Sequence, residues 1–492
     1  MWLLVPYSLL VLGYLLPCAA TKPLWYDEIF TRAVVTLPSF QGSVEALRKG
    51  WDLQPPLYFG IVRASAALFG ADEFGFRLPS VIGFWAGSVI LYLLACRLIP
   101  PLFAALVLPL CVMTPLRDYA IEARPYALVF AFGAAALFYW HSTTRERPGR
   151  FAVPGLVMSL VALSTVHYYG FVTFAPVLAG EAAVSIRSRR ARFSLWFVFA
   201  IAAVPLLLHW PLVRSGIRPS SVGAWNSPHP KMLLFTYVPF LGGLVLALVV
   251  LNAIFERWPL PCSAGPVLSG KEGDFPAVTA CATAMAIPVI ALLAAYGISG
   301  MVSQRHMLNW LIGATMLGSL LTARVLRHRA RLGLVLLMAG HLYLVAAGTD
   351  SWRESLSGRE SLRAEIKTLS RVAQSWPGLR VTSDDGLHMV VLRHYAPPEL
   401  RSVLVSTVDP ERRHPRAPEY VIDRTLLFFR GQSADYPTLT AMELLGGTPR
   451  FLFLDRPGRD SPLRERLSNL HAQLKLVTVA GDRPVYTVVV GQ

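Results

Sequence analysis

The sequence contains little charge for its length. Asp, Glu, Lys and Arg make up 15% of its 492 residues, whereas 54% are hydrophobic and the mean hydropathy is +0.47. A water-soluble chain cannot bury that much apolar surface in one core, and most of the apolar sequence lies in long runs. The shortage of charge therefore excludes an ordinary soluble enzyme and indicates a membrane protein.

Cysteine is scarce too. The five cysteines are Cys18, Cys96, Cys111, Cys262 and Cys281, and all fall in predicted helices or on the side predicted to face the cytoplasm. No two of them have the Cys-x-x-Cys spacing of a zinc or redox site. The sequence therefore provides no disulfide framework and no cysteine-based metal centre.

Long apolar runs are abundant. Eleven of them have about the length that a helix needs to cross a bilayer, ~20 residues. They lie at residues 2–20, 78–98, 100–114, 126–140, 153–166, 171–186, 195–213, 233–255, 277–298, 308–325 and 332–347. The first run lacks the basic start of a signal peptide, so we predict a membrane helix there. The chain is expected to be an α-helical polytopic membrane protein with about 11 transmembrane helices in residues 1–349, followed by a soluble domain in residues 350–492.

Basic residues between the runs predict the orientation. The segments RERPGR (145–150), RSRRAR (187–192) and RHRAR (327–331) fall on one side, which the positive-inside rule assigns to the cytoplasm. These loops account for much of the net charge of +16, so no nucleic-acid partner is predicted. The first long loop (21–77) and the C-terminal domain are expected on the outer face.

The first outer loop contains several carboxylates. It also contains short segments that are predicted to form helices at the membrane interface. Asp27 and Glu28 lie in LWYDEIF, just beyond the first apolar run. A carboxylate there is costly unless it meets water, a partner or a substrate. Asp52 stands shortly before Pro55 and Pro56, so it is either a substrate contact or a cap for the positive end of the next helix.

The second outer turn, TPLRDYAIEARPYAL, adds Glu122, Arg124 and Tyr126. If the turn is helical, Asp118 and Glu122 lie four residues apart on one face, with Arg117 and Arg124 nearby. A solvated ion-pair face would give the same pattern.

The third and fourth outer turns combine rings and positive charge. STVHYYGF contains His167 and Tyr168, which are either substrate contacts or part of an interfacial aromatic belt. QRHMLNWL begins with Arg305 and His306. Arg305 either anchors the interface or binds a phosphate with two parallel hydrogen bonds.

Together these segments resemble a known family. YDE, the run PPLYFGIVRASAALFGADEFGFRLPSVIG, YAIEARPYAL, HYYGF and QRHMLNWL occur in the order seen in integral-membrane glycosyltransferases of the GT-C fold. The similar group is the bacterial branch of the protein O-mannosyltransferase and lipid A aminoarabinose transferase superfamily. The resemblance covers about residues 1–350 and implies a hexosyl or pentosyl transferase. It would move a sugar from a polyprenyl-phosphate donor to a hydroxyl of a glycan, lipid or protein outside the cytoplasmic membrane.

The resemblance also implies roles for particular residues. Asp27 would be the catalytic base of an inverting displacement, with Glu28 as its neighbour. Arg305 would contact the lipid phosphate, while His306 replaces the tyrosine of the family. Some relatives use a divalent metal ion, for which Asp52 and His167 are the candidate ligands. The substrate-binding candidates are Asp52, Glu122, Arg124, Tyr126, His167, Tyr168, Arg305 and His306.

Residues 350–492 are predicted to form a small α/β domain. SLRAEIKTLSRVAQSW has apolar residues at helical spacing, and LRVTSDD, SVLVST, TLLFFRG, RFLFLDR, LKLVTVA and VYTVVV are rich in β-forming residues. TSDDG (382–386) places two carboxylates at a strand end, which is either a plain turn or a site. We expect the domain to help shape the acceptor side.

A multi-span transporter or flippase of a lipid-linked sugar is the competing function. Transporters place ionisable residues near the middle of the membrane and often contain internal repeats. Here the runs are nearly free of charge, no repeat is visible, and the polar groups gather at one face. A non-catalytic assembly partner is a third class, against which the presence of Asp27, Asp52 and Arg305 argues. The sequence favours the enzyme.

Overall fold

A computed structural model describes residues 2–216, 227–239, 241–243, 249, 275–326, 329–414, 418–433, 435–456 and 461–490. The chain forms two compact units. Unit 1 comprises Met1–Ala20, Val34–Gly216 and Pro228–Trp352, and unit 2 comprises Thr21–Ala33, Ile217–Ser227 and Arg353–Gln492. The short segment Thr21–Ala33 of the first long loop therefore groups with the C-terminal domain.

Among the described residues up to residue 375, the regular secondary structure is helical. Its helices are α1 (Leu4–Thr21), α2 (Tyr26–Val35), α3 (Phe40–Arg48), α4 (Pro56–Phe69), α5 (Glu73–Ala95), α6 (Pro101–Ala104), α7 (Val107–Val112), α8 (Leu116–Ala120), α9 (Tyr126–Thr143), α10 (Ala152–Val166), α11 (Phe174–Ser188), α12 (Phe193–Gly216), α13 (Phe275–Met285), α14 (Ile287–Ala294), α15 (Trp310–Val325) and α16 (Ala330–Ser375). A 3-10 turn (Tyr168–Thr173) leads into α11. A π-helical turn (Ala295–Ser299) and a second 3-10 turn (Gln304–Met307) lie between α14 and α15.

Five helices of the described residues are long and apolar enough to cross a membrane, or six if the bent pair α13 and α14 forms one span. Four shorter apolar helices accompany them. The predicted run 233–255 lies largely outside the described residues. The run 100–114 is broken between α6 and α7, because Pro109 has no N–H to donate to the carbonyl of Ala105. The number of eleven spans therefore stays a prediction.

Helices α5 and α9 pack closely through small residues. A Cβ added at Gly83 would lie 3.0 Å from the Ala127 carbonyl oxygen, and one added at Gly87 would lie 2.6 Å from the Phe130 ring. Glycine lets the two helices approach, as small residues do at other membrane helix interfaces. Because α9 begins at Tyr126, this packing holds one wall of the site described below.

Unit 2 contains a six-stranded sheet in the order β3-β2-β1-β4-β6-β5. The strands are β1 (Val381–Ser383), β2 (Leu404–Val408), β3 (Thr438–Thr440), β4 (Arg450–Leu454), β5 (Gln473–Ala480) and β6 (Arg483–Val489). The helices between them are α17 (Gly386–Tyr395), α18 (Pro398–Val403), α19 (Pro418–Arg430), α20 (Ala441–Gly447) and α21 (Pro462–Asn469). Strands β1 to β4 are parallel, and β6 runs antiparallel to both β4 and β5. The predicted α/β domain is confirmed.

One predicted strand of this domain is wrong. TLLFFRG lies in helix α19, not in the sheet. The buried residues Val421, Leu426 and Phe429 are five and three positions apart, which places them on one helix face. Burial of that face outweighs the local preference of its residues for strands.

The two carboxylates of TSDDG hold neighbouring elements together at the end of β1. Asp384 accepts a hydrogen bond of 2.7 Å from the Ser461 hydroxyl, which precedes α21. Asp385 accepts bonds of 2.9 Å from both Arg456 and Arg483. Burial raises the pKa of Asp384. These carboxylates stabilise the domain by binding its own residues. TSDDG is therefore better interpreted as a structural turn than as a ligand site.

Candidate active site

The first-loop carboxylates lie in the first turn of α2, within unit 2. Negative charge is favourable there because the helix N-terminus is positive. Glu28 is fully buried, and its Oε2 accepts a hydrogen bond of 3.1 Å from the Trp25 backbone N–H. Asp27 is only partly buried. Glu28 therefore helps to start the helix, while Asp27 retains exposed surface.

Asp52 does not cap a helix. Helix α4 begins after Pro55, which makes no side-chain cap. Instead, Oδ2 of Asp52 lies 2.9 Å from Nη1 of Arg124, and both side chains are less than a tenth exposed. The backbone of Arg124 is fixed in turn, because its carbonyl accepts a hydrogen bond from the Ser80 hydroxyl of α5. The structure thus joins segments 21–77 and 114–126 of the sequence by a buried ion pair.

The segment TPLRDYAIEARPYAL is not one continuous helix. Helix α8 ends at Ala120, so Asp118 and Glu122 do not share a helix face. Asp118 lies 3.3 Å from Arg117 and is 60% exposed, which makes this pair a solvated one. Glu122 precedes the buried Arg124, and an electrostatic interaction connects Glu122 with Tyr119.

Four of the candidate residues line one pocket of unit 1. Its polar lining consists of Tyr126, His167, Tyr169, Thr173, Arg305, His306 and Asn309. The rings of His167 and His306 lie 5.3 Å apart, and the Tyr126 ring lies 5.5 Å from that of His167. The guanidinium carbon of Arg305 lies 6.0 Å from the Tyr126 ring centroid. The starts of α9 and of the two 3-10 turns therefore meet at this pocket.

Both histidines of the pocket carry their proton on Nε2 when neutral. The backbone N–H of Tyr169 donates to Nδ1 of His167 at 2.9 Å, and the N–H of Ser303 donates to Nδ1 of His306 at 3.2 Å. A nitrogen that accepts a hydrogen bond has no proton, so the other ring nitrogen must donate. No described residue pairs with the buried Nε2 of His167. The pocket therefore has imidazole N–H groups suited to an acceptor.

Both histidines are held neutral. Burial, followed by the charges of Arg124 and Arg305, lowers the pKa of His167 to about 3. Burial also lowers the pKa of His306 well below its ordinary value, with His167 and the same arginines adding to the effect. Neutral imidazoles donate hydrogen bonds without adding charge, while Arg305 supplies positive charge beside them. This combination suits an anion.

Two supporting residues were missed by sequence reasoning. Tyr169 stacks on His306 at 4.9 Å, with an angle of 12° between the rings, and its hydroxyl donates to the Met301 carbonyl. Asn309 donates to the Thr173 hydroxyl at 2.8 Å and to the Val129 carbonyl at 3.2 Å, which ties α15 to two neighbours. The sequence signal for Asn309 was its position as a polar residue within the apolar run LNWL.

Four of the eight substrate-binding candidates lie outside this pocket lining: Asp52, Glu122, Arg124 and Tyr168. The ring of Tyr168 lies 6.3 Å from that of His209 in α12, and an electrostatic interaction connects Tyr168 with Asp52. Of the paired tyrosines in HYYGF, the second rather than the first contributes to the pocket.

A divalent metal ion does not fit the residues suggested for it. The carboxylate of Asp52 already binds Arg124. His167 lies within electrostatic range of Arg124 and Arg305, whose positive charges would repel a cation. Across the described ranges, no group of three or more His, Cys, Asp or Glu side chains could hold a metal ion.

Solved structures share this architecture. ArnT from Cupriavidus metallidurans in the apo state is 14% identical, with a TM-score of 0.59 over 98% of this chain and 97% of that chain. The same protein bound to undecaprenyl phosphate is 13% identical, with a TM-score of 0.56 over the same shares. This chain has the GT-C fold. No family model and no curated protein matches it. The likeness to ArnT confirms the fold predicted from the sequence.

Proposed function

We propose that this protein is a glycosyltransferase that moves a sugar from a polyprenyl-phosphate donor to a hydroxyl acceptor. Two observations support the proposal: the fold shared with ArnT, one structure of which holds undecaprenyl phosphate, and the anion-suited pocket. We further propose that it acts in a bacterial cytoplasmic membrane, with the site and the C-terminal domain on the outer face. The basic loops and the positive-inside rule support that orientation.

The hydrogen-bond donors that line the pocket are the observation that supports the proposal most strongly. Two neutral imidazoles with donor Nε2 atoms line the same pocket as Arg305. Arg124 of the buried Arg124–Asp52 pair lies within electrostatic range of both histidines. Arg305 lines the pocket and Arg124 does not, so Arg305 is the cation assigned to the ligand. A lipid-linked sugar phosphate is a singly charged diester, which one guanidinium and several N–H donors can hold.

The proposed reaction is a direct displacement at the anomeric carbon. The acceptor hydroxyl oxygen attacks from the face opposite the lipid phosphate, and Asp27 takes the hydroxyl proton. The new carbon–oxygen bond forms as the bond to the phosphate oxygen breaks, so the configuration inverts. The electron pair of the broken bond leaves with the phosphate, which gains a second negative charge. Arg305 and the imidazole N–H groups stabilise that charge.

Binding of the product lipid tests the phosphate assignment. Full-length protein in lipid nanodiscs is titrated with radiolabelled polyprenyl phosphate. Arg305→Gln and His306→Phe each remove one donor group and should weaken binding about 10- to 100-fold, the size expected for a charge-assisted hydrogen bond. His306→Phe retains a ring to stack on Tyr169. Arg117→Gln, which alters the solvated pair, serves as the matched control and should bind normally. Equal affinity in all four proteins would refute the assignment.

A further inference from the structure

The first-loop segment that carries Asp27 contacts the C-terminal domain through an aromatic cluster within unit 2. The rings of Phe30 and Phe429 stack 4.9 Å apart, with an angle of 13° between them. Tyr436 completes the cluster at 5.7 Å from Phe30 and 5.1 Å from Phe429. Phe429 is almost fully buried. Phe30 thus packs on an existing core of the domain.

A hydrogen bond fixes the other end of the same segment. The backbone N–H of Leu24 donates to the hydroxyl of Tyr395 at 2.7 Å. Tyr395 is the last residue of α17, and Leu24 is buried. Leu24 and Phe30 lie three residues before and three residues after Asp27. The two contacts therefore bracket the proposed base.

We propose that Phe30, Phe429 and Tyr395 are positioning residues through which the C-terminal domain holds Asp27 for catalysis. The proposal rests on the function proposed above, in which Asp27 is the base. A general base must lie within hydrogen-bond reach of the proton it takes, and small displacements cost much of the rate. Helix α2 spans only Tyr26–Val35, and so short a helix is marginal without tertiary contacts. The domain supplies two such contacts, at Phe30 and at Leu24 just before the helix.

Substitutions on both sides of the contact test the proposal. Phe30→Ala removes a ring without altering the core of the domain, and Tyr395→Phe removes only the hydroxyl. Phe30→Tyr keeps the ring and should behave like wild type. Phe40→Ala, at a residue that is 44% exposed in α3, is the matched control. Two readouts are measured on full-length protein in nanodiscs: amide hydrogen exchange of the peptide covering residues 24–35, and kcat and KM for sugar transfer.

The proposal predicts a joint result. In Phe30→Ala and Tyr395→Phe, exchange of the 24–35 peptide should be about three- to tenfold faster, as expected when one stacking or hydrogen-bonding contact of a local unit is lost. The kcat should fall about tenfold with an unchanged KM for the donor, because the substrate site is intact but the base is misplaced. Exchange of the peptide containing β4 should not change, which shows that the domain stays folded.

Failure of this inference differs from failure of the proposed function. Unchanged exchange in both variants, or an unchanged kcat while Asp27→Asn abolishes transfer, would overturn the positioning role. Full transfer by Asp27→Asn would instead overturn the assignment of Asp27 as the base. Phe30, Phe429 and Tyr395 would then have no base to position. The exchange measurement would then show only whether the domain holds α2.

Discussion

Acid should destabilise the pocket through His167. The pKa of this histidine is lowered to about 3 in the folded protein, first by burial and then by Arg124 and Arg305, whereas an unfolded histidine titrates near ~6.5. Between these values the unfolded state binds a proton that the folded state does not. The free energy of unfolding therefore falls as the pH falls below about 6.5, and it levels off near the folded pKa.

The magnitude follows from the width of that window. One pH unit corresponds to ~1.36 kcal/mol for one proton, so lowering the pH from about 6.5 to about 5 should cost about 2 kcal/mol at His167. The pKa of His306 is lowered in the same direction, and His306 should add to the loss. Protonation of Nδ1 of His167 would also break its hydrogen bond from the Tyr169 N–H.

Thermal unfolding of wild type and His167→Asn at pH 7 and pH 5 measures the effect. Asparagine at position 167 can still accept from the Tyr169 N–H but does not titrate. Wild type should lose about 2 kcal/mol more than His167→Asn over this range. The control is His229→Asn, at an exposed position, which should keep the wild-type pH dependence. The same loss in wild type and His167→Asn would show that protonation of His167 does not destabilise the fold.

Three further predictions concern buried polar contacts, and each is checked by the midpoint of thermal unfolding. Asp52→Ala should lower the free energy of unfolding by about 3–5 kcal/mol because it breaks a buried ion pair. Asp118→Ala, in an exposed pair, should lower it by less than about 1 kcal/mol. Similar losses in the two variants would show that burial does not determine the strength of these pairs. Asn309→Ala should lower the free energy of unfolding by about 1–3 kcal/mol, because the partners of its two hydrogen bonds would stay buried without a donor. An unchanged midpoint would show that these partners are not left buried and unsatisfied. Glu181→Ala should be among the most harmful changes in α11, since this fully buried carboxylate binds Arg192 and the Trp140 indole; normal stability would contradict that role.

The architecture was predictable because it depends on composition. Long apolar runs require helices in a membrane, and alternating helix and strand patterns from residue 350 onward require a covered sheet. TLLFFRG shows the limit of such patterns. Phe428 and Phe429 favour a strand locally, yet burial of one side of α19 decided the outcome.

The site was only partly predictable. The sequence shows which polar residues stand at the ends of the apolar runs, but it does not show which residues they contact. His167 and Arg305 stood out as polar residues beside apolar sequence, and the structure places both on one pocket. The pairing of Asp52 with Arg124 joins residues 72 positions apart, so only the folded chain shows it. Tyr169 looked like any interfacial aromatic residue until its stacking on His306 was visible.

Sugar transfer from a polyprenyl-phosphate donor, with Asp27 as the base, can be measured directly. Membranes carrying wild type or Asp27→Asn are given radiolabelled polyprenyl-phosphate sugars with glycan, lipid and protein acceptors, and transfer of label is measured. We expect transfer by wild type and loss of transfer in Asp27→Asn, in which an amide NH2 group replaces one carboxylate oxygen. Transfer at the wild-type rate by Asp27→Asn would contradict the base assignment, and no transfer from any lipid-linked sugar would contradict the enzyme itself.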